Sequence, residues 1–278
     1  MRGQVIAGRF RILAPLAQGG MGTVFEAEDR VTAERVALKV LSAAWAAQKG
    51  MAHRFEDEME LARRVKHRNV SRVVDCGRDG PLHYIATEFV DGTDLKRLLH
   101  ANGALPTAKA FEAGIQIARG LQAVHEAGII HRDVKSPNVM VDRGGRYRLM
   151  DFDIAKRADS DTGPDEKGSV LGTPEYMSPE QARGEYLDYR TDIYSLGIVV
   201  YEIFTGEVPF RGDTARATIL MQLQEPPPLD GPRAANLPTA LLPILRKALD
   251  KDKTKRYGRT RALVEALRFA RETAGEPS

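Results

Sequence analysis

The pattern of hydrophobic and polar positions divides the chain into a strand-rich first part and a helix-rich second part. In the first ninety residues, short apolar segments are separated by turns, which is typical of β-strands. Five segments predict strands: FRILAPLA, GTVFEAEDR, ERVALKVL, SRVVDCGRDG and PLHYIATEFV. Between the third and fourth, MAHRFEDEMELARRVK has apolar residues at helical spacing. We therefore expect a small β-rich lobe with one helix, residues 1–90.

Longer helical patterns follow, and they predict a larger helical lobe over residues 91–278. TAKAFEAGIQIARGLQAVHEAG predicts a helix that begins at a Thr107 cap and ends near Gly128. DIYSLGIVVYEIFTG is apolar on all sides and predicts a buried helix, and PTALLPILRKAL and RALVEALRFARE predict two more. The proline-rich segment EPPPLDGPRAANLP is typical of a loop between helices. The predicted class is α+β with two lobes.

Composition narrows the class of protein without giving its activity. The chain has 278 residues, and its net charge of +3 comes from dispersed basic residues, so it does not predict nucleic-acid binding. The single cysteine, Cys76, excludes an internal disulfide and favours a reducing compartment. Apolar segments are too interrupted for a secretory signal and too short for a membrane span. We expect a cytoplasmic chain without a nucleic-acid or membrane partner, either complete or part of a longer protein.

Two motifs in the first lobe have phosphate-binding chemistry, but each also has an ordinary structural explanation. Gly19, Gly20 and Gly22 lie in the turn LAQGGMGTV, where glycine lets backbone amides approach a phosphate. Glycine-rich hairpins that bind no phosphate are also common in proteins. Lys39, in VALKV, either binds phosphate or extends to the lobe's edge. Glu58 is one of several nearby acids that could pair with it.

The segment IIHRDVKSPNVMV is more specific, because apolar segments anchor both ends of a loop of polar residues. Asp133 can accept a proton from a hydroxyl group, and Lys135 can stabilise a phosphoryl group during transfer. Asn138 offers a neutral oxygen to a metal ion. A short hairpin then leads to LMDFD, where Asp151 is placed to bind Mg²⁺.

Six motifs in order carry a family resemblance: GGMGTV, VALK, HRDVKSPN, DFD, GTPEYMSPE and DIYSLG. Together they resemble the eukaryotic-type protein kinase domain, most closely its bacterial serine/threonine branch, from about Phe10 to about Arg271. The resemblance implies a bilobal fold and transfer of the γ-phosphate of ATP to serine or threonine in proteins. It also implies Mg²⁺ as the metal ion, with Mn²⁺ as the alternative.

The resemblance assigns roles to individual positions. It implies Asp133 as catalytic base, Lys135 as the γ-phosphate partner, and Glu58 as the residue that holds Lys39. Asn138 and Asp151 are the implied metal ligands. Thr173 is implied to bridge Asp133 and Lys135. Nucleotide contacts are implied for Ala17, Gly19, Gly20, Gly22, Val24, Ala37, Lys39, Thr87, Glu88, Val90, Asp94, Asn138 and Asp151.

The resemblance also implies structural pairs and a regulated segment. Glu180 is expected to pair with Arg256, and Asp192 with the backbone of the catalytic loop. Arg132 is expected to bind phosphate on the segment between Asp151 and Glu180. The candidate sites of autophosphorylation, with self-association in trans, are Ser160, Thr162 and Ser169. A solvated polar loop without phosphate is the alternative.

The sequence departs from the family pattern at two positions. Ala17 replaces the first glycine of the loop, which adds one methyl group. Asp153 replaces the glycine after Phe152, where it restricts the backbone and adds negative charge near the metal ligands. Since the phosphate-handling residues are retained, we expect an active kinase. Two alternatives stay open: a nucleotide-binding pseudokinase that acts as a scaffold, and a small-molecule phosphotransferase.

Overall fold

A computed structural model describes residues 1–19, 22–42, 61–150, 173–235 and 237–274. The first part of the chain forms an antiparallel sheet with the strand order β1-β2-β3-β4-β6-β5. Its strands are β1 (Val5–Ile6), β2 (Phe10–Gly19), β3 (Gly22–Asp29), β4 (Arg35–Leu41), β5 (Val73–Asp79) and β6 (Leu82–Glu88). The five predicted strands are confirmed, and β1 is an additional short edge strand. Cys76 lies half-buried in β5.

The alternation of side chains gives this sheet two different faces. Phe25, Leu38 and Ala86 are cross-strand partners on one face, and they belong to a small buried core with Phe10. The neighbouring partners Val24, Lys39 and Ile85 therefore lie on the opposite face. The polar position of VALKV is thus on the face that does not form the small core.

The second part of the chain is mainly helical. A small sheet, β7 (Gly92–Asp94), β8 (Val139–Asp142) and β9 (Tyr147–Leu149), lies beside the helices. The helices are α1 (Leu95–Asn102), α2 (Thr107–Glu126), α3 (Pro179–Arg183), α4 (Tyr189–Thr205), α5 (Ala215–Gln224), α6 (Leu242–Ala248) and α7 (Thr260–Ala274). Residues 61–64, at the end of the predicted helix of the first lobe, are also helical. The mixed α+β class is confirmed.

Helix boundaries differ from the sequence prediction where capping decides them. Pro106 occupies the cap position of α2, so Thr107 is the first helical residue and not the cap. The buried helix α4 begins three residues earlier than predicted, because the side chain of Asp188 accepts a hydrogen bond from the Arg190 amide. PTALLPILRKAL divides into a 3-10 turn, Thr239–Leu241, and α6, which has a proline in its first turn.

The segment before β5 is anchored to the helical part. Leu149 of β9 donates its amide to Asn69, and Ser71 donates its amide to Leu149. The Asn69 side chain also donates to the Tyr147 carbonyl and to the Gln116 side chain, both at 2.8 Å. The large hydrophobic core accordingly includes residues of the first ninety, such as Leu41, Val73 and Ile85, together with helices α2 and α4.

Within the described ranges, no helix combines the length and the apolar character needed to span a bilayer.

Candidate active site

The loop between α2 and β8 brings its polar residues close together. A short 3-10 helix, Ser136–Asn138, folds Asn138 back on the loop, and its Nδ2 donates to the Asp133 carboxylate at 2.8 Å and to the Asp133 carbonyl at 2.9 Å. Lys135 Nζ lies 2.6 Å from the same carboxylate oxygen, Oδ2. Both side chains are mostly buried. Asp133 is thus held by two donors at one oxygen.

Lys135 connects the loop to the segment that precedes α3. Its Nζ donates to Thr173 Oγ1 at 3.3 Å, in addition to its contact with Asp133. The structure therefore brings together three of the residues implied by the resemblance, with Lys135 between the other two. Their catalytic roles remain predictions.

Helix α4 holds the backbone of this loop through the side chain of Asp192. The buried carboxylate of Asp192 accepts the amides of His131 and Arg132, both at 2.7 Å, and lies 2.8 Å from His125 Nε2. Burial opposes ionisation of Asp192, but the hydrogen bonds and charges of the two histidines outweigh it and lower its pKa. The expected contact of Asp192 with the loop backbone is confirmed.

The ion pair predicted between Glu180 and Arg256 is also present. Two hydrogen bonds join the two groups, at 2.6 and 2.9 Å, and both side chains are almost completely buried. Thr191 donates to the same carboxylate at 2.8 Å. This pair fixes α3, and with it the segment that follows Thr173, to the end of the large lobe.

The sheet places several predicted nucleotide contacts on one face. Ala37 and Lys39, two residues apart on β4, point to the same side of the sheet. Their cross-strand partners include Thr87 on β6 and Val24 on β3, so all four lie on this face. Ala17 is paired with Val24 in turn. Such a face, with one lysine among small and apolar residues, fits an aromatic base with its phosphates.

Glycine is required at one position of the β2–β3 hairpin. Gly19 and Gly22 are paired, and Gly22 has a φ of 153°. A Cβ at Gly22 would lie 2.1 Å from the Val40 carbonyl oxygen. The start of β3 therefore lies directly against β4 at Val40, the residue after Lys39.

Glu88, Val90 and Asp94, three of the implied nucleotide contacts, lie in the hinge, the segment 88–94 that connects β6 to the large lobe. The Glu88 carbonyl accepts from the Ser71 hydroxyl at 3.2 Å, and the Glu88 side chain binds Arg148 at 2.6 Å. Val90 is buried. Asp94 caps α1 by accepting the Arg97 amide at 2.8 Å, so it has a structural role whether or not it contacts a ribose.

Several predicted residues lie outside the described part of the chain: Gly20, Glu58, Asp151, Asp153, Ser160, Thr162 and Ser169. For the metal site, only Asn138 can therefore be examined. Its Nδ2 donates to Asp133, which leaves its Oδ1 to act as a ligand for a hard cation. In the described ranges no group of three or more His, Cys, Asp or Glu has metal-binding geometry. The side-chain oxygen of Asn138 fits the predicted metal ion.

Sequence reasoning missed three polar residues that support the site. Gln181 donates to the Arg132 carbonyl at 2.9 Å, and Gln222 donates to the carbonyls of Pro174 and Glu175. Glu202 is buried and accepts from the Tyr176 hydroxyl, which in turn contacts Ser136. Only Gln181 had a sequence signal, the capping-box spacing from Ser178.

The chain is similar to known proteins over most of its length. The chain is 42% identical over 276 residues to serine/threonine-protein kinase pkn2 of Myxococcus xanthus, covering 96% of this chain and 33% of that protein. It is 37% identical over 255 residues to serine/threonine-protein kinase PrkC of Bacillus subtilis, covering 92% of this chain and 39% of PrkC. The chain thus spans about a third to two fifths of the length of these relatives.

The fold comparison gives the same result. The crystal structure of the PknI kinase domain of Mycobacterium tuberculosis superposes with a TM-score of 0.77 at 27% identity, covering 97% of this chain and 99% of that one. The bilobal fold expected from the sequence is confirmed. The family model described as protein kinase domain matches residues 10–267. The chain therefore belongs to the protein kinase family, in its serine/threonine group, whose members use ATP and a divalent metal ion on protein substrates.

Proposed function

We propose that this chain transfers the γ-phosphate of ATP to serine or threonine hydroxyl groups of proteins. The observation that carries the proposal is the arrangement of the catalytic loop, where Asp133 is bound by Asn138 and Lys135, and Lys135 also reaches Thr173. The loop thus combines a proton acceptor, a cation for a phosphoryl group and an amide oxygen for a metal ion. The names of the relatives support the same activity.

In the proposed reaction, Asp133 accepts the proton of the acceptor hydroxyl while the hydroxyl oxygen bonds to the γ-phosphorus. The bond from that phosphorus to the bridging oxygen breaks, and ADP leaves. Lys135 lies close enough to Asp133 to neutralise charge on the phosphoryl group during the transfer. Its contact with Thr173 keeps the amine between Asp133 and the segment that precedes α3.

For the nucleotide, the proposal uses the sheet face with Ala37 and Lys39, and the hinge backbone at Glu88 and Val90. Lys39 binds the α- and β-phosphates and Glu58 holds Lys39. Asn138 and Asp151 would hold Mg²⁺, which would supply positive charge to neutralise the phosphates. Mn²⁺ is the alternative ion. The division into lobes at residue 90 belongs to the same proposal.

Further proposals concern partners and regulation. We expect autophosphorylation at Ser160, Thr162 or Ser169 after self-association, with Arg132 binding the phosphate. The single half-buried Cys76 fits a reducing compartment, where ATP is available. We expect a role in bacterial signal transduction, with no nucleic-acid or membrane contact from this chain.

The test is transfer of labelled γ-phosphate to a generic basic protein, with nucleotide binding measured in parallel. We expect transfer by the unsubstituted chain, and a loss of at least about a hundredfold in Asp133→Asn with ATP binding retained. Lys39→Met is expected to lose transfer and to bind ATP more weakly.

Two outcomes would contradict the proposal in different ways. ATP binding without transfer in the unsubstituted chain would support the scaffold alternative. The retained pairing of Asp133 with Asn138 and Lys135 argues against that alternative. Phosphorylation of small alcohols, but of no protein or peptide, would support the small-molecule phosphotransferase.

A further inference from the structure

Gln181 uses both ends of its side-chain amide. It is the third residue of α3, and its Oε1 accepts the Ser178 amide at 3.0 Å, which completes a capping box with the Ser178 side chain. Its Nε2 donates to the Arg132 carbonyl at 2.9 Å, across 49 residues of sequence. One side chain therefore joins the start of α3 to the catalytic loop.

The residue that it contacts has an unusual backbone. Arg132 has a φ of 65°, in the left-handed region that residues with a Cβ rarely adopt. Such a conformation persists only where surrounding groups hold it. The Arg132 amide is held by Asp192 Oδ1 at 2.7 Å, and its carbonyl by Gln181. The peptide units on both sides of Arg132 are therefore fixed by side chains from different helices.

The next residue in the chain is Asp133. The carbonyl that accepts from Gln181 belongs to the peptide unit joining Arg132 to Asp133, so rotation of that unit would move the Asp133 backbone directly. Asp133 is in turn held at its side chain by Asn138 and Lys135. Asn138 also donates to the Asp133 carbonyl, whereas Gln181 holds the carbonyl before it, that of Arg132.

We propose that Gln181 is a positioning residue for Asp133, which it places by holding the Arg132 carbonyl against α3. The inference rests on the proposed function, in which Asp133 is the base. The inference adds that α3 and the catalytic loop are joined as one unit, so the distance between α3 and the base is fixed. Gln181 itself touches neither nucleotide nor acceptor in this role.

Replacement by glutamate tests the role of the amide, because glutamate has the same shape as glutamine but cannot donate a hydrogen bond when it is ionised. In Gln181→Glu the carboxylate can still accept the Ser178 amide, but it cannot donate to the Arg132 carbonyl. When the carboxyl group is protonated, the donor is restored. Gln181→Met has similar length and neither capacity. Ser178→Ala removes the hydroxyl acceptor of the capping box and leaves the Gln181–Arg132 bond, and Gln4→Glu repeats the charge change at an exposed residue of the first lobe.

The experiment measures kcat and the KM for ATP in the phosphotransfer assay between pH 5.5 and 8, beside hydrogen exchange of peptides containing residues 131–134. At pH 8 we expect kcat to fall about tenfold in Gln181→Glu and Gln181→Met, with KM for ATP changed less than about twofold. The loss should exceed that in Ser178→Ala by about fivefold or more, and Gln4→Glu should match the unsubstituted chain. Exchange in residues 131–134 should be faster in both Gln181 variants.

The pH profile distinguishes positioning from a general loss of structure. The ratio of Gln181→Glu activity to unsubstituted activity should rise as pH falls towards 5.5, because protonation of the glutamate restores the donor, whereas the Gln181→Met ratio stays constant. A kcat within about twofold of the unsubstituted value in both variants, or unchanged exchange, would overturn the inference. An unsubstituted chain without transfer would contradict the proposed function instead, and the exchange comparison would still decide whether Gln181 fixes the loop.

Discussion

At the scale of single residues, Lys251 is a charged group of the large lobe that lies among aromatic rings. Its Nζ donates to the Tyr194 hydroxyl at 2.9 Å and lies 3.9 Å from the centre of the Phe210 ring. Burial, followed by the positive charge of Arg256, lowers the pKa of this lysine from its ordinary 10.5 to about 7. At a pH between these two values, the folded protein releases from Lys251 a proton that the unfolded chain keeps.

The sign of the resulting pH dependence follows from proton linkage. Between pH 7 and 10.5 the unfolded chain binds one more proton at Lys251 than the folded protein, so this residue makes the free energy of unfolding rise with pH. The slope from one proton is at most about 1.4 kcal/mol per pH unit. We predict that Lys251→Met removes this slope, measured by urea denaturation from pH 7 to 9.5. Equal slopes in the two proteins would show that Lys251 is protonated in the folded state.

At the scale of elements, two glycines of α2 make a matched pair for testing how this helix packs. A Cβ at Gly120 would lie 2.4 Å from the Asn69 carbonyl oxygen, whereas a Cβ at Gly114 would meet nothing closer than Val200 at 3.5 Å. Both replacements by alanine gain helix propensity of about 1 kcal/mol. The contact with Asn69 is rigid, because the same carbonyl accepts the Leu149 amide.

We therefore predict opposite effects from the same substitution in the same helix. Gly114→Ala should leave the free energy of unfolding unchanged or raise it by up to about 1 kcal/mol. Gly120→Ala should lower it by roughly 1–3 kcal/mol, because α2 or the Asn69 segment must move away. Chemical denaturation of both variants measures the difference. Similar values for the two would mean that the Asn69 segment yields without cost.

Elements also show what the sequence could and could not predict. Helices α2 and α7 were predictable from apolar residues at helical spacing, α4 from a continuous apolar segment, and strands β2 to β6 from short apolar segments separated by turns. The cap of α2 was predicted one residue too late, because Thr107 has the better capping side chain and yet Pro106 occupies the cap. Short α3 has five residues, too few for any periodic signal.

The same distinction applies within the candidate site. Asp133, Lys135 and Asn138 are close in sequence, so one motif predicted that they would lie together, and the resemblance predicted the pairing of Asp192 with the loop. Gln181 and Gln222 act on carbonyl groups 49 and 48 residues away. A hydrogen bond from a side chain to a distant backbone carbonyl produces no recognisable sequence motif, because any residue can supply the carbonyl.

At the scale of the whole molecule, the first lobe has a small core of its own and also contributes residues to the large core. The small core lies on one face of the first sheet, with residues such as Phe10 and Leu38. The large core contains residues of α2 and α4, and it also includes Leu41 and Ile85 from the opposite face of that sheet. Val70 forms a parallel bridge with Leu149. The first sheet therefore packs on a hydrophobic core that continues into the helices, which favours cooperative unfolding.

We predict that strands and helices lose their protection against hydrogen exchange in one transition as urea is added. Peptides from β6 and from α2 should reach the same midpoint, since opening the sheet exposes side chains of the large core. Asn69→Ala, which removes the bonds to Tyr147 and Gln116, should lower both midpoints together. A β6 midpoint well below that of α2 would show that the sheet unfolds alone. A shift confined to one of the two peptides in Asn69→Ala would place Asn69 in a local contact, and the two lobes would then be separate folding units.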